Sequence, residues 1–380
     1  MTRFDRYILR RFLAATLLLV ALLVVFFVVL DYVEYIDDFM DRGATPAEVF
    51  GTYYRNYVPE IIRLVCPVAV FLAAIYTTSR LSQSMQLAAL TSAGVSLGRI
   101  MAPFLFAGVL ITALMLWFNS TLVPRSNAVV LDFQRRYYSE VSEEMETSSL
   151  YRQSAPGSVL HVSFFDAEGG RAIDVDLVRF DGVRRPAPPG DGVVAGDSLF
   201  VPTRLVERIE APEMVWVDST RRWHMDSATR RAFAPDGRET VEGPAPLDTA
   251  LAIDPDELAR GDRDAQRLTL EETRAYIAAL RAAGVSRLGR PLVELHEKVA
   301  YPFSNLILVL LGVPLAAKRR RGGQAVQLGI GLLLSFAYLA AGRVLAPLGY
   351  AGDIPPAVAA WAPHAAFLLL ALVLLARAPR

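Results

Sequence analysis

The feature that most constrains how this chain folds is the run FLAATLLLVALLVVFFVVL at residues 12–30, which contains no charged side chain. A helix rises about 1.5 Å per residue, so this run can cross a hydrocarbon core of about 30 Å. The preceding arginines would also suit a secretory signal, but the run is longer than a typical signal core and no small-residue cleavage site follows it. We therefore expect an uncleaved membrane-spanning helix.

Five further apolar segments have the length and composition of membrane-spanning helices. They lie at residues 61–79, 100–122, 299–317, 324–346 and 357–376. With the N terminus inside, Arg80, Arg99 and the basic residues at 318–321, 377 and 380 fall in the cytoplasm. The connection at 31–56, rich in Asp and Glu, then falls outside. The sequence thus predicts an α-helical polytopic membrane protein with six spans and both termini in the cytoplasm.

The long connection between spans three and four predicts an inserted, extracytoplasmic, all-β domain at about residues 125–290. Short alternating apolar runs separated by Gly, Pro and Asp are typical of an antiparallel sandwich or jelly roll. These runs lie at residues 158–165, 172–180, 197–201, 213–219 and 221–225. The Pro-rich segment 184–192 is typical of a surface loop.

Helices are expected at both ends of this domain. Residues 127–146 have a helical pattern. At the exit, Thr269 and Glu272 have the spacing of a capping box, which predicts a helix that ends at Gly284.

The connection between spans two and three, residues 80–99, is longer than a turn requires and contains no Asp, Glu or Lys. Its apolar spacing predicts a short amphipathic helix. One interpretation is a helix that lies on the membrane surface. The other is a docking element for a cytoplasmic partner.

Signatures of catalysis are scarce. His296 begins a zinc-helix pattern, but the residue four positions later is Ala300, so the metal-binding pair is incomplete. No Gly-Lys pair is present for a nucleotide-binding P-loop, and the single cysteine, Cys66, lies in a predicted span. A net formal charge of zero argues against a nucleic-acid binder. We expect a chain without catalysis of its own, and the alternative is an enzyme site built around His161 and His224.

Charged residues close to the membrane lie at its predicted outer edge. Glu60 and Arg63 flank the second span and Arg343 the fifth, at depths where side chains can reach the interface. No carboxylate lies near mid-membrane, which disfavours an ion-driven transporter and favours a carrier powered by the ATP of another subunit. An acidic stripe continues the first span at helical spacing, either as a solvated face or as a rim that binds arginines or divalent cations. The stripe consists of Asp31, Glu34, Asp38 and Asp41.

Four runs carry a resemblance that covers essentially the whole chain. They are FDRYILRRFL (4–13), MQLAALTSAGVSLGRI (85–100), LTLEETRAYIAALRAAG (268–284) and VELHEKVAYPFSNLILVLLGVPLA (293–316). In their order and spacing they resemble the lipopolysaccharide-export permease family of the LptF/LptG (YjgP/YjgQ) type. The resemblance implies a permease subunit in the inner membrane of a Gram-negative-type bacterium, which extracts lipopolysaccharide and passes it to periplasmic carriers.

The resemblance also implies the partners of such a subunit. These are a homologous second permease, a cytoplasmic ABC-type ATPase dimer, a periplasmic jelly-roll carrier and a single-span accessory subunit. The ATPase would bind ATP and magnesium, and this chain would hold no cofactor. The alternative is a membrane-anchored periplasmic scaffold or receptor without transport.

In the family, the connection between spans two and three is a coupling helix that enters a groove on the ATPase. On this resemblance the contact residues would be Gln86, Leu87, Leu90, Ala93 and Gly94, and Gly94 would end the helix. Gln86 stands where the family carries an acidic contact residue. Its amide can hydrogen-bond an arginine but lacks the charge-assisted part of that bond.

The lipid path is expected along the outer rim and the β domain. In the family, basic residues at the outer end of the first span meet lipid phosphates, whereas this chain has Asp31 and Glu34 there. Phosphate contact is therefore expected from other side chains of this chain or from the partner permease. Acyl contact is expected from an apolar trough, whose residues would equally suit an ordinary domain core. The candidates are Arg42, Arg55, Arg63 and Arg343 for the phosphates, and Leu160, Val162 and Phe164 for the trough.

Overall fold

The computed structural model describes residues 2–137, 150–166, 169–186, 198–251, 253–255, 258, 267–282, 288–317 and 323–377. The chain divides into two units, which we call the helical unit and the β unit. The helical unit comprises Met1–Phe133, Gln266–Leu270 and Leu292–Arg380. The β unit comprises Gln134–Ala265 and Glu271–Pro291.

Six helical segments are long and apolar enough to cross a membrane, and each predicted span lies inside one of them. The prediction of six spans is therefore confirmed. The described helices are α1 (Arg3–Asp41), α2 (Pro46–Glu48), α3 (Arg55–Gln83), α4 (Gln86–Ser92), α5 (Leu97–Trp117), α6 (Val123–Tyr137), α7 (Leu270–Ala282), α8 (Gly289–Ala317), α9 (Gly323–Ala351) and α10 (Pro356–Ala376).

Two π-helical turns extend the second and third spans. Val49–Tyr54 joins α2 to α3, and Phe118–Leu122 joins α5 to α6. The helix predicted over 127–146 is therefore a continuation of the third span as far as Tyr137, and its remainder lies outside the described residues. Helix α7 begins directly after Thr269, as the capping pattern predicts, and its predicted end at Gly284 also lies outside them.

The core of the helical unit holds only part of α1. Ile8 and Phe12 are fully buried, and the ring of Phe12 meets that of Phe104 on α5 edge to face at a centroid distance of 5.2 Å. Between Thr16 and Phe39, α1 has no buried side chain. The first turns of α1 are thus packed into the bundle, while most of its apolar middle is open to lipid or to another chain.

The β unit contains one antiparallel sheet in which each strand pairs with its neighbours in sequence. This arrangement confirms the predicted β domain, with a meandering order that is simpler than the Greek key of a complete jelly roll. The strands are β1 (Leu150–Ala155), β2 (Ser158–Asp166), β3 (Arg171–Pro186), β4 (Ser198–Val217), β5 (Arg222–Phe233) and β6 (Glu239–Thr249).

Two details of the strand prediction are wrong. The runs at 197–201 and 213–219 belong to one strand, β4, which continues through Pro202 and Pro212. Pro202 lies beside a register shift in the pairing with β3, and the register of this pair skips Pro212. Such irregularities accommodate a residue that lacks an N–H donor. Residues 184–186 of the expected loop extend β3, and 187–192 lie outside the described residues.

The β unit has a packed apolar core. Leu160, Val162 and Trp223 are fully buried in one cluster with Ile253 and Leu258, which follow β6 in the chain. The indole N–H of Trp223 donates to the carbonyl oxygen of Ile253 at 2.8 Å. The segment after β6 therefore covers part of the sheet.

Candidate functional site

The connection between α3 and α5, which we call the α4 segment (residues 84–96), has well-defined ends. Within this segment, helix α4 begins directly after Met85, a non-glycine residue with φ of +60°. It ends in a Schellman motif, because the N–H of Gly94 donates to the carbonyl of Thr91 and that of Val95 to the carbonyl of Leu90, both at 3.0 Å. Gly94 has φ of +84°, which confirms that it ends the helix.

The inner face of α4 packs against its own chain. Leu87 is only 6% exposed and belongs to the same core cluster as Ile8 and Phe12 of α1. Leu90 and Val95 are partly buried against that cluster. The side chain of Leu87 is therefore taken up by the chain's own core, because an apolar side chain on a short helix can serve its own core as well as a partner. Leu90 packs on the same cluster but keeps part of its surface exposed, and its contact with a partner stays a prediction.

The outer face of α4 consists of small and neutral side chains. Gln86, Ala89 and Ala93 are exposed at helical spacing, and Ser92 and Gly94 are exposed beside them. Ala89 lies almost opposite Leu87 on the helical wheel. The sequence does not identify it as a contact residue, because alanine occurs on both the buried and the exposed faces of helices. Most of these exposed side chains are small, so another helix or a groove could approach the backbone of α4 closely.

Polar contacts anchor both ends of the α4 segment. Before it, the hydroxyl of Ser82 donates to the carbonyl of Ala317 at the end of α8, at 3.0 Å. After it, the guanidinium of Arg99 binds the carboxylate of Asp5 on α1 through two hydrogen bonds of 2.9 Å each. The side chain of Asp5 is 6% exposed. Sequence reasoning missed this pair because its members lie in different helices with no local motif.

At the opposite end of the helical unit, the acidic stripe lies on α1, which continues to Asp41 as predicted. Asp31 accepts hydrogen bonds from the hydroxyls of Tyr54 at 3.0 Å and Tyr53 at 3.4 Å. Asp31 thus connects α1 to the π-helical turn before α3. The side chain of Glu34, in contrast, is exposed.

The arginines proposed for lipid phosphates have different surroundings. Arg63 donates from Nε to Glu60 at 2.9 Å and lies over the ring of Tyr301 at 5.1 Å from its centroid. The positive charge of Arg63 is therefore neutralised by Glu60 of the same chain. Arg55 and Arg343 are exposed. Arg42 is also exposed, at the end of α1.

The three trough candidates are not equivalent. Leu160 and Val162 are fully buried in the core of the β unit, so they are not open to an acyl chain in this conformation. Phe164, on the same strand, is 37% exposed. The alternative of an ordinary domain core therefore describes Leu160 and Val162.

The two histidines considered for an enzyme site, His161 and His224, lie on strands β2 and β5 of the β unit. His224 bridges two carboxylates, with Nδ1 at 2.6 Å from Asp248 and Nε2 at 3.0 Å from Asp226. The hydrogen bond with Asp248 raises the pKa of His224 above its usual value, and the hydrogen bond with Asp226 raises it further. The ring of His161 contacts that of Tyr151 at a centroid distance of 4.4 Å, with the two ring planes tilted by 33°. Among the described residues, no group of three or more His, Cys, Asp or Glu side chains could hold a metal ion.

In the described part of the chain, six helices long enough to cross a membrane and an inserted antiparallel β domain define the class of this protein as a multi-pass membrane protein. Residues 6–377 match the family model described as "Lipopolysaccharide export system permease LptF/LptG". The chain therefore belongs to the LptF/LptG family of lipopolysaccharide export permeases.

Curated relatives of both family branches are similar to this chain. The lipopolysaccharide export system permease protein LptG of Escherichia coli (strain K12) is 19% identical over 98% of this chain and 98% of its own length. The LptF protein of the same strain is 21% identical over 97% of this chain and 93% of its own length. The LptF protein of Shigella flexneri has the same identity and coverage. The chain thus resembles LptF and LptG almost equally.

Proposed function

We propose that this chain is the transport subunit through which a separate cytoplasmic ATPase drives lipopolysaccharide out of the inner membrane and toward periplasmic carriers. The observation that carries the proposal is the α4 segment. Its inner face is packed in the chain's core, both ends are anchored by hydrogen bonds, and Gln86, Ala89 and Ala93 remain exposed. A rigidly held, free helical face suits the transmission of force from a partner.

The charge distribution supports the orientation that this function needs. With the N terminus inside, the α4 segment lies in the cytoplasm beside Arg80 and Arg99, in accord with the positive-inside rule. The β unit then lies in the periplasm. Because the chain has no Gly-Lys pair for a P-loop, ATP and magnesium belong to the ATPase.

The exposed face of α1 supports a site for lipid or for the second permease. Leu17, Leu22 and Phe26 are each more than half exposed, at 72%, 62% and 55%. Each buried methylene contributes about 0.8 kcal/mol, so withdrawing a lipid with several acyl chains requires both an energy source and an apolar surface that receives it. Arg55 and Arg343 are the better candidates for phosphate contact, because Glu60 already pairs with Arg63.

Carriers downstream of this chain complete the proposal. A jelly-roll carrier and a single-span accessory subunit would receive the lipid in the periplasm. For acyl chains to reach Leu160 and Val162, the cover formed by Ile253 and Leu258 would have to move away from the sheet.

The proposal is tested by purifying the chain from native membranes and measuring ATP-dependent release of lipopolysaccharide from proteoliposomes. We expect a P-loop ATPase and a second six-span permease in the preparation. Ala89→Arg should abolish ATPase binding and transport, since it places a long charged side chain on the docking face. The matched control is Ala47→Arg, an exposed alanine of α2 at the opposite end, which should retain both.

A wild-type chain that inserts correctly and binds no ATPase would contradict the proposal. It would favour a membrane-anchored scaffold instead. Normal transport by Ala89→Arg would show that coupling uses a different surface.

A further inference from the structure

We propose that the ion pair between Asp5 and Arg99 is the link through which the α4 segment moves α1. This inference rests on the proposed function, since it assigns the route by which ATPase docking reaches the lipid-exposed helix. Asp5 and Arg99 are positioning residues in this account.

The geometry of the pair suits a mechanical link. Both guanidinium nitrogens of Arg99 bind both carboxylate oxygens of Asp5, each at 2.9 Å. A bidentate pair of this kind fixes the orientation of the two groups as well as their distance. The side chain of Asp5 is 6% exposed and that of Arg99 is 48% exposed, so water competes for the Asp5 carboxylate less than it would in a fully exposed pair.

Each partner is built rigidly into its helix. Asp5 is the third residue of α1, where its carboxylate accepts from the N–H of Thr2 at 2.8 Å in a capping box. Arg99 lies in the first turn of α5, whose N-cap is Ser96. Ser96 follows directly after the end of the α4 segment's Schellman motif at Gly94 and Val95. A displacement of α4 therefore reaches Arg99 with few flexible bonds between them.

Apolar packing beside the pair gives the same connection. Phe12 of α1 packs on Phe104 of α5, and Ile8 shares a cluster with Leu87 of α4. The ion pair of Asp5 and Arg99 joins α1 to α5 in the first turn of each helix. The beginnings of α1, α4 and α5 thus form one packed body.

A movement of these packed helix starts can be passed to the rest of α1. Between Thr16 and Phe39, α1 has one packed face and one exposed face. On the packed face Leu19 contacts the core cluster and Asp31 accepts hydrogen bonds from Tyr53 and Tyr54. Leu22 and Phe26 lie on the exposed face. A helix transmits displacement along its axis, and α1 is about 58 Å long at about 1.5 Å per residue. Movement of its first turn therefore alters the position of the exposed apolar face around Leu22 and Phe26.

The test uses the full complex in proteoliposomes and measures three quantities: ATPase bound per chain, ATP hydrolysed, and lipopolysaccharide released per ATP. The variants are Asp5→Asn, Arg99→Gln and their combination. The control is Arg80→Gln, because Arg80 is an exposed arginine at the same end whose guanidinium donates to the neutral hydroxyl of Tyr76 at 3.3 Å.

We expect each single variant to bind and hydrolyse like the wild type but to release about 2- to 30-fold less lipid per ATP. The double variant should be no worse than either single variant, since both changes break one link. Arg80→Gln should leave the ratio unchanged. Should Asp5→Asn reduce insertion, Arg99→Lys keeps the charge and loses the fork geometry, and we expect an intermediate ratio.

Single variants that bind ATPase and release lipid per ATP like the wild type would overturn this inference and leave the proposed function intact. Multiplicative losses in the double variant would also overturn it, because the two residues would then act separately. A wild-type chain that binds no ATPase would overturn both proposals.

Discussion

Gly94 offers a quantitative test of how the end of α4 is held in place. Its φ of +84° lies in the left-handed region, where an L-residue costs about 1–2 kcal/mol more than glycine. A Cβ at this position would meet no heavy atom within 4 Å, so Gly94→Ala adds backbone strain without a clash. The structure therefore predicts that this substitution weakens the end of α4 by about 1–2 kcal/mol.

Amide hydrogen exchange measures this change directly. The reporters are the N–H groups of Gly94 and Val95, which close the Schellman motif at 3.0 Å. A loss of about 1–2 kcal/mol corresponds to about 5- to 30-fold more frequent opening, and the peptide over 85–96 should exchange faster by that factor. The assay is exchange followed by mass spectrometry on the full chain in detergent or nanodiscs, corrected for intrinsic rates.

Gly98→Ala is the matched control. Gly98 lies in α5, is exposed, and also has no heavy atom within 4 Å of an added Cβ, but its backbone is helical. Alanine is a better helix former than glycine, so this variant should exchange no faster than the wild type. Equal exchange in Gly94→Ala and the wild type would refute the assignment of strain to Gly94.

Two further predictions concern the β unit. Glu207, whose side chain is 7% exposed, accepts hydrogen bonds from Arg179 and Arg230. Glu207→Gln should therefore lower the free energy of opening of strands β3 to β5 by about 1–3 kcal/mol, as measured by amide hydrogen exchange. Glu213→Gln breaks only the exposed pair with Arg171 and should cost less than about 1 kcal/mol; equal effects of the two would contradict this reading. Because the pKa of His224 is raised, its pairing stabilises β5 and β6 fully below pH of about 6.5 and is lost as the pH rises through the raised pKa. His224→Gln should remove this pH dependence, as measured by exchange at a series of pH values, and a slope that persists in the variant would assign it to another group.

Sequence reasoning is most successful where the signal is local. The six spans follow from uninterrupted apolar runs, and the end of α4 follows from the conformational freedom of Gly94. The alternation of β2 likewise predicts a strand. These properties depend on residues that are neighbours in the chain.

Properties that depend on tertiary packing could not be derived in this way. Leu87 has the spacing of a contact face, but only the packing against α1 and α5 shows that it belongs to the chain's own core. The pair of Asp5 and Arg99 joins helices that are far apart in sequence. Strand β4 passes through Pro202 because its pairing with β3 is irregular there, which no pattern within β4 indicates.

The central claim is that an ATPase docks on the outer face of α4 and drives transport through it. The most direct measurement is photocrosslinking in native membranes from a photoreactive amino acid at position 89, with position 47 as the control. The account predicts an adduct with a P-loop ATPase from position 89 only. Absence of that adduct from membranes in which the variant still transports lipopolysaccharide would contradict the claim.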